Sequence, residues 1–212
     1  MLATSHKLAA ILLAAGQSTR FEEGSKLTYL INEKPLISWS LSPLINSNLE
    51  KIIVVIGAHA ETINKQLTSI KNKNTNITVI HNENYKLGMG ASIAAGMSAV
   101  SQNCEGVFIC LADMPKISKS IITELSSNYA QEQKTETINK KSIFRPTYQG
   151  TPGHPVLFSK THFEKLSELS GDQGAKEIIR QNKDQLKLVE VTSPHILFDI
   201  DKIGDISKLD ND

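Results

Sequence analysis

The sequence has few cysteines, no long apolar run and almost no net charge. Its 212 residues include two cysteines, Cys104 and Cys110, too few for a disulfide framework and without the spacing of a zinc site or a CxxC motif. We expect both to be buried packing residues in a reducing compartment, the cytoplasm. Since no stretch reaches about 18 consecutive apolar residues, we also expect no membrane span.

The balance of charge argues against a polyanionic partner. Lys and Arg number 23 against 22 Asp and Glu, so no overall field would hold the chain on nucleic acid or an anionic membrane. The two standard nucleotide motifs are missing as well, because G-x-G-x-x-G does not occur and no Gly-Lys-Ser/Thr follows Gly16 at the spacing of a phosphate-binding loop. Any positive site must be local.

What the sequence does contain is an alternation of strand and helix patterns. The apolar runs at 7–14, 51–58 and 106–113 are typical of strands buried on both faces, and a shorter strand is indicated at 76–82. Helical spacing occurs at 35–45, 60–70 and 91–100. This alternation predicts an α/β fold, a Rossmann-like three-layer α/β/α domain with a mostly parallel sheet. We expect the whole chain, 1–212, to be one domain.

The second half of the chain predicts a different local arrangement. Residues 142–159 show strand, turn and strand signals with prolines at positions 146, 152 and 155, which favours a small antiparallel flap beside the main sheet, its strands confined to edges or turns. The polar tract at 131–141 indicates a surface loop, with a domain boundary as the alternative. A helix at 174–182, a strand at 185–191 and a last short helix complete the prediction.

The stretch "ILLAAGQSTRFEEGSKL" at 11–27 combines a buried strand with a polar, basic loop. In open α/β sheets the loop after the first strand is the usual phosphate site. Ala14, Ala15 and Gly16 would let a base or phosphate approach the backbone, and Gly16 can take a positive φ. Arg20 and Lys26 would neutralise a polyphosphate. The alternative is an exposed turn with two solvated cations.

A second glycine cluster, "LGMGASIAAGM", places Gly88, Gly90 and Ser92 at a helix start. Backbone N–H groups and the helix dipole there favour an anion or a base carbonyl. A glycine-rich cap with nothing bound is the alternative.

Two segments carry carboxylates at places where a cation could bind. Asp113 ends an apolar strand, where a metal bridging phosphates needs an oxygen ligand; the alternative is a cap for the helix beginning near Ile117. In "FDID", Asp199 and Asp201 would share one face of a strand. Their repulsion would be relieved by a cation, or equally by an exposed edge.

Two turns could face a substrate. "GTPGHP" holds His154 between Gly153 and Pro155, and "GDQGAK" places Asp172 and Gly174 at a helix start. A lone histidine in a turn can instead be structural or solvated, and the second pattern is also that of an ordinary helix cap.

Taken together and in order, "LAAGQSTRF", Lys26, "GMGASI", "DMP", "GTPGHPVLF", "GDQGA" and "DID" resemble the MobA-like nucleotidyltransferases, most closely the molybdenum cofactor cytidylyltransferases. The resemblance covers nearly the whole chain, from about residue 7 to residue 205. It implies a cytoplasmic, Mg2+-dependent enzyme that transfers CMP from CTP to the phosphate of molybdopterin and releases pyrophosphate. A molybdoenzyme or its chaperone is an implied protein partner.

The resemblance also implies roles for individual residues. Catalytic residues would be Arg20, Lys26 and Asp113, and the metal ligands would be Asp113 and Asp201. The nucleotide would contact Leu13, Ala14, Ala15, Gly16, Arg20, Lys26, Gly88, Met89, Gly90 and Ser92. The acceptor would contact Gly153, His154, Asp172, Gly174 and Asp199.

The implied mechanism is in-line attack of the acceptor phosphate on the α-phosphorus without a covalent enzyme intermediate. The choice of CTP over GTP rests on a family-level comparison. Guanylyl-transferring relatives carry a second glycine where this chain has Ala15, and the added methyl group would crowd the larger purine base. The alternatives are a guanylyltransferase, a sugar or polyol-phosphate cytidylyltransferase, or a non-catalytic nucleotide-binding adaptor.

Two features depart from the family pattern. One extra residue separates Arg20 from Lys26, with Glu22 and Glu23 before Gly24, which could weaken a triphosphate site. After "DID" the usual Thr-Pro-Glu-Asp is replaced by residues 202–205, "KIGD", so acceptor specificity could differ.

Overall fold

The alternating apolar runs form an eight-stranded sheet with helices on both faces. This computed structural model describes residues 6–21, 24–74, 76–134 and 142–209. The strands are β1 (Leu8–Ala14), β2 (Leu30–Ile31), β3 (Lys34–Pro35), β4 (Lys51–Ile56), β5 (Ile77–His81), β6 (Gly106–Leu111), β7 (Ile143–Tyr148), β8 (Thr151–Pro152), β9 (Val156–Ser159) and β10 (Leu186–Glu190). The helices are α1 (Leu36–Ile45), α2 (Ala60–Lys73), α3 (Met89–Met97), α4 (Lys119–Gln133), α5 (Phe163–Ser167) and α6 (Lys176–Gln181).

One half of the sheet is parallel, in the order β6-β1-β4-β5. Successive residues of β1 face opposite sides, so Ala10 and Leu12 join a core with α1, α2 and α4, while Ala9 and Ile11 join a second core with α3, α5 and α6. Both faces of β1 are therefore covered, which explains its uninterrupted apolar sequence. The predicted fold class is confirmed: the sheet is mixed but mostly parallel, between two helical layers.

The antiparallel segment is hydrogen-bonded into the main sheet. β9 pairs antiparallel with β6 and with β7, β10 pairs parallel with β7, and β8 pairs antiparallel with β7. The prediction that its prolines confine these strands to edges or turns is wrong for Pro146, which lies in the interior strand β7. The Pro146 carbonyl accepts a hydrogen bond from the Gly153 N–H at 2.8 Å, at a position between the residues of β7 that pair with β9 and those that pair with β8. The nitrogen of Pro146 faces the same gap, where the sheet needs no donor.

The helices α1, α2, α3 and α6 begin and end within three residues of the predicted positions, whereas α5 was not predicted from the sequence. α4 continues to Gln133, so the first residues of the polar tract at 131–141 are helical rather than loop. The last buried side chain of α4 is Tyr129, and a helix turn beyond its packed face is solvated and therefore polar in sequence. Residues 135–141 of the tract, like Glu22 and Glu23, lie outside the described part of the chain.

A small second sheet and several 3-10 turns complete the fold. β2 and β3 form an antiparallel hairpin before α1. Residues 198–201, predicted as a strand, have no strand assignment, although the Ile200 N–H donates to the Asp113 carbonyl at 2.9 Å. Within the described residues, no helix combines the length and the apolar character that crossing a membrane requires.

Candidate active site

A cleft of about 490 Å3 opens at the carboxyl edge of the parallel strands. Ala14, Ile56, His81 and Leu111, the last residues of β1, β4, β5 and β6, lie at this edge because parallel strands in register end together. The cleft is lined by Leu13, Ala14, Ala15, Gly16, Gln17, Ser18, Thr19, Lys26, Leu27, Tyr85, Gly88, Met89, Ser92, Leu111, Asp113 and Asp172. Its volume is that of a site for a small-molecule ligand.

The loop after β1 forms one wall. Ala15 is buried, and a Cβ added to Gly57 would lie 2.9 Å from the Ala15 Cβ and 2.7 Å from that of Tyr85, so the three residues pack closely. Among the described residues of this loop, Ser18, at a φ of 53°, and Gly24, at a φ of 86°, have left-handed backbone, whereas Gly16 does not. The Ser18 hydroxyl oxygen accepts from the Lys26 N–H at 3.3 Å, which ties the two ends of the loop together.

Two cations and two carboxylates meet beside this loop. Lys26 Nζ lies 2.7 Å from Asp113 Oδ2 and 3.6 Å from Asp201 Oδ1, and it donates to the Ile200 carbonyl at 2.8 Å. Arg20 Nη1 donates to Asp201 Oδ2 at 2.6 Å. The side chain of Lys26 is only 14% exposed against 70% for Arg20, so the Lys26–Asp113 pair is the less screened of the two.

Asp113, Asp199 and Asp201 form a group that fits a divalent cation. One potential ligand atom from each lies within 4.8 Å of the others. Asp113 Oδ1 is buried and accepts no hydrogen bond from any of the described residues, so its lone pairs are not used by a donor of the protein. Burial, followed by the neighbouring charges of Asp113 and Asp201, raises the pKa of Asp199. Carboxylate oxygens are the ligands of hard ions such as Mg2+ and Mn2+.

The two glycine motifs predicted for nucleotide and acceptor contact each other. Gly88, at a φ of +100°, precedes α3, and the Gly90 N–H donates to the Gly171 carbonyl at 2.8 Å. A Cβ on Gly88 would lie 2.4 Å from Asp172 Oδ1, and one on Gly174 would lie 2.9 Å from the Met89 sulfur. Asp172 therefore stands on the wall of the same cleft as Gly88 and Met89.

No residue of the "GTPGHP" turn is on the wall of the cleft. The Gly153 and His154 N–H groups donate to the Pro146 and Ile196 carbonyls, and the His154 ring lines a small internal cavity with Cys110, Met114 and Pro155. Burial, and next the charge of Arg145, lowers the pKa of His154 to about 4. The imidazole is therefore neutral near pH 7, with the capacity of a hydrogen-bonding group rather than a phosphate counterion.

The cleft unites most but not all of the residues predicted from the sequence. Arg20, Asp199 and Asp201 adjoin it through the Lys26 and Asp113 contacts, whereas Gly90, Gly153, His154 and Gly174 are not on its wall. Sequence reasoning missed Tyr85 and Asn82, because neither belongs to a motif; Asn82 is 5% exposed and donates through Nδ2 to the Ser92 Oγ at 3.0 Å. Gln17, Ser18 and Thr19 were missed although they lie inside the quoted loop.

Comparison with known proteins identifies full-length and partial relatives. The chain is 23% identical over 202 residues to the molybdenum cofactor cytidylyltransferase of Escherichia coli (strain K12), covering 92% of this chain and 91% of that protein. It is 27% identical over 141 residues, 66% of this chain, to the bifunctional protein GlmU of Pseudothermotoga lettingae. The chain spans 29% of the length of that GlmU.

Solved structures share the fold at lower sequence identity. Rv0371c from Mycobacterium tuberculosis H37Rv superposes with a TM-score of 0.80 at 20% identity, covering 99% of this chain and 100% of that one. Its complex with manganese superposes with a TM-score of 0.75 at 19% identity, covering 96% and 97%. The family model described as a MobA-like NTP transferase domain matches residues 10–186. This chain therefore belongs to the MobA-like NTP transferase family.

Proposed function

We propose that this protein transfers CMP from CTP to the terminal phosphate of molybdopterin and releases pyrophosphate. The observation that carries the proposal is the meeting of Lys26 and Arg20 with Asp113 and Asp201 beside a cleft walled by small residues. Such a site can take a base and ribose between its walls and a triphosphate with its metal ion at the charged end. Cytidine and molybdopterin are proposed from the motif resemblance and from the Escherichia coli relative.

The motif resemblance suggests the roles of the residues, and the positions of those that line the cleft support them. Leu13, Ala14, Ala15 and Gly16 would contact the nucleotide, with Gly88, Met89 and Ser92 on the facing wall. Lys26 and Arg20 would exchange their carboxylate partners for phosphate oxygens when the nucleotide binds. Asp113 and Asp201 would hold a divalent ion, proposed to be Mg2+, with Asp199 beside them, and the manganese complex of Rv0371c supports an ion of this class. The ion would neutralise charge on the phosphates.

The transfer itself needs no general base. An oxygen of the acceptor phosphate monoester is already anionic and attacks the α-phosphorus in line. The new P–O bond forms as the bond from the α-phosphorus to the bridging oxygen breaks, and pyrophosphate leaves with that electron pair. Positioning and charge stabilisation by Lys26 and Arg20 would lower the barrier. Gly153, His154, Asp172, Gly174 and Asp199 are the proposed acceptor-side residues.

The decisive experiment measures Mg2+-dependent pyrophosphate release with CTP and, separately, GTP, each with and without molybdopterin. We expect release with CTP and molybdopterin together. Release with GTP in place of CTP would overturn the base, and release that requires a sugar or polyol phosphate would overturn the acceptor. Tight CTP binding without release in any combination would identify a nucleotide-binding adaptor and contradict the enzyme assignment.

A further inference from the structure

A buried hydrogen-bonded pair joins Ser92, on the wall of the cleft, to Asn82, which belongs to none of the motifs. Asn82 directly follows β5, and Ser92 lies in α3 and lines the cleft. Each is only 5% exposed, and Asn82 Nδ2 lies 3.0 Å from Ser92 Oγ. Neither the predicted strand pattern nor the predicted helix pattern calls for a buried amide at this place.

The orientation of the Asn82 amide is determined by its other contact. The backbone N–H of Asn84 donates to Asn82 Oδ1 at 3.0 Å. A backbone N–H can only donate, so the oxygen of the amide must face Asn84 and the NH2 group must face Ser92. The Asn82 backbone N–H in turn donates to the Ile56 carbonyl at 2.9 Å, which anchors the residue at the end of β4.

This orientation sets the direction of the hydrogen bond at Ser92. An amide NH2 can only donate, so Ser92 Oγ accepts from Asn82 and its own proton must be donated elsewhere. Among the described residues, the Ser92 hydroxyl makes no hydrogen bond other than the one that it accepts from Asn82. Burying a hydroxyl proton without an acceptor is unfavourable, and the cost is recovered when a ligand in the cleft supplies one.

We propose that Asn82 is a positioning residue that holds the Ser92 hydroxyl as a hydrogen-bond donor to an acceptor atom on the edge of the nucleotide base. The inference rests on the proposed function, because it requires a nucleotide in this cleft. Asn82 itself does not touch the base. It determines which hydrogen-bonding pattern the wall presents and thereby favours a base whose edge has a carbonyl or ring nitrogen at that point.

An isosteric change reverses the direction of the bond. In Asn82→Asp, both carboxylate oxygens accept, so the Asn84 N–H bond is kept while the Ser92 hydroxyl turns to donate to residue 82. Only an oxygen lone pair then faces the acceptor on the base. We expect the Kd of CTP with Mg2+, measured by calorimetry, to rise about tenfold or more. In turnover, KM should rise while kcat changes less than threefold, because the lost hydrogen bond stabilises the bound nucleotide and the transition state equally.

The matched controls separate this effect from added charge and from damage to the fold. Asn84→Asp places the same new charge two residues away on an exposed side chain, and CTP affinity should stay near that of the wild type. In a Ser92→Ala background, Asn82→Asp should change the Kd less than twofold, because the group through which it acts is gone. An equal loss in both backgrounds overturns the inference.

Ser92→Ala alone keeps the test decisive if Asn82→Asp does not fold. This variant removes the proposed donor and should weaken CTP binding at least about fivefold; unchanged affinity overturns the inference. Wild-type pyrophosphate release is measured in the same series, and GTP replaces CTP throughout if it is the nucleotide that turns over. Failure of the wild type with both contradicts the proposed function, whereas normal wild-type turnover with an insensitive Ser92→Ala contradicts the Asn82 inference alone.

Discussion

At the scale of single residues, the site and its surroundings contain buried polar groups whose hydrogen-bond or charge partners within the protein are unfavourable or missing. Asp113 gives one oxygen to Lys26 and keeps the other buried with no partner among the described residues. His154 is enclosed beside the positive charge of Arg145 and is held neutral. Such groups cost stability, and groups of this kind cluster at functional sites.

Removing the charge of Asp113 should abolish most of the turnover without unfolding the protein. Asp113→Asn keeps the shape of the side chain but loses the anionic oxygen, so we expect kcat for pyrophosphate release to fall about 100-fold or more, as for other preorganised electrostatic groups. Asp184→Asn, on an exposed carboxylate of a surface turn, is the matched control. A rate for Asp113→Asn within threefold of the control would contradict the assigned role.

His154 should make folding stability depend on pH between pH 7 and pH 5. Its pKa falls from 6.5 to about 4 in the folded protein, so protonation favours the unfolded chain. The stabilisation is present above pH 6.5, declines as the pH falls, and is fully lost below the folded pKa. We expect the free energy of unfolding in urea to drop by about 2 kcal/mol more in the wild type than in His154→Gln over that interval. Parallel pH profiles would refute the prediction.

At the scale of structural elements, the cleft exists because loops from distant parts of the chain meet at one edge of the sheet. The turn before α3 packs against residues 170–172, where the Gly90 N–H bonds to the Gly171 carbonyl. This contact joins the segment before α6 to the helix that carries Ser92. It closes the wall opposite the loop after β1.

A methyl group at Gly88 should disrupt this contact. Its Cβ would lie 2.5 Å from the Gly171 carbonyl carbon, and the φ of +100° disfavours any L side chain, so the backbone has to move. We expect Gly88→Ala to lower the free energy of unfolding by about 1–3 kcal/mol and to weaken CTP binding. Gly204→Ala, where an added Cβ meets nothing within 4 Å, should stay within about 0.5 kcal/mol of the wild type. Equal free energies of unfolding for the two variants in chemical denaturation would contradict the prediction, because the turn at Gly88 would then accommodate the methyl group at no cost.

At the scale of the whole molecule, charge pairing joins the beginning of the chain to its end. Arg20 and Lys26, after β1, contact Asp201, and Lys26 also binds the Ile200 carbonyl and Asp113. In the proposed enzyme the same cations would serve the phosphates and the same carboxylates the metal ion. Nucleotide and metal should therefore bind cooperatively, because each releases the partners that the other needs.

Manganese binding measured by electron paramagnetic resonance provides a test that does not depend on turnover. We expect CTP to tighten Mn2+ binding at least about fivefold, and Mn2+ to tighten CTP binding by the same factor. Lys26→Met should tighten Mn2+ binding in the absence of nucleotide, because Asp113 loses its neutralising partner, and should weaken CTP binding. Weaker binding of both ligands to Lys26→Met would contradict the partner exchange.

Much of the architecture could be predicted because it follows from local chemistry. The run in β1 is short and apolar at every position, which is typical of a strand covered on both faces, so the parallel sheet and its helical layers were predictable. The loop after β1, Lys26 and Asp113 were also predictable, since topology alone places the carboxyl ends of parallel strands at one edge.

What the sequence could not determine are the contacts between its distant parts. The ladder that accommodates Pro146 in an interior strand, the pairing of Lys26 with Asp113 and Asp201, and the packing of Gly88 on residues 171–172 join segments far apart in the chain. The Asn82–Ser92 hydrogen bond leaves no motif because a single buried amide has no periodicity. Strand periodicity and motif order are properties of neighbours along the chain, whereas hydrogen-bond direction and charge pairing are decided only when the tertiary fold brings the partners into contact, as at 3.0 Å for Asn82 and Ser92 and 2.7 Å for Lys26 and Asp113.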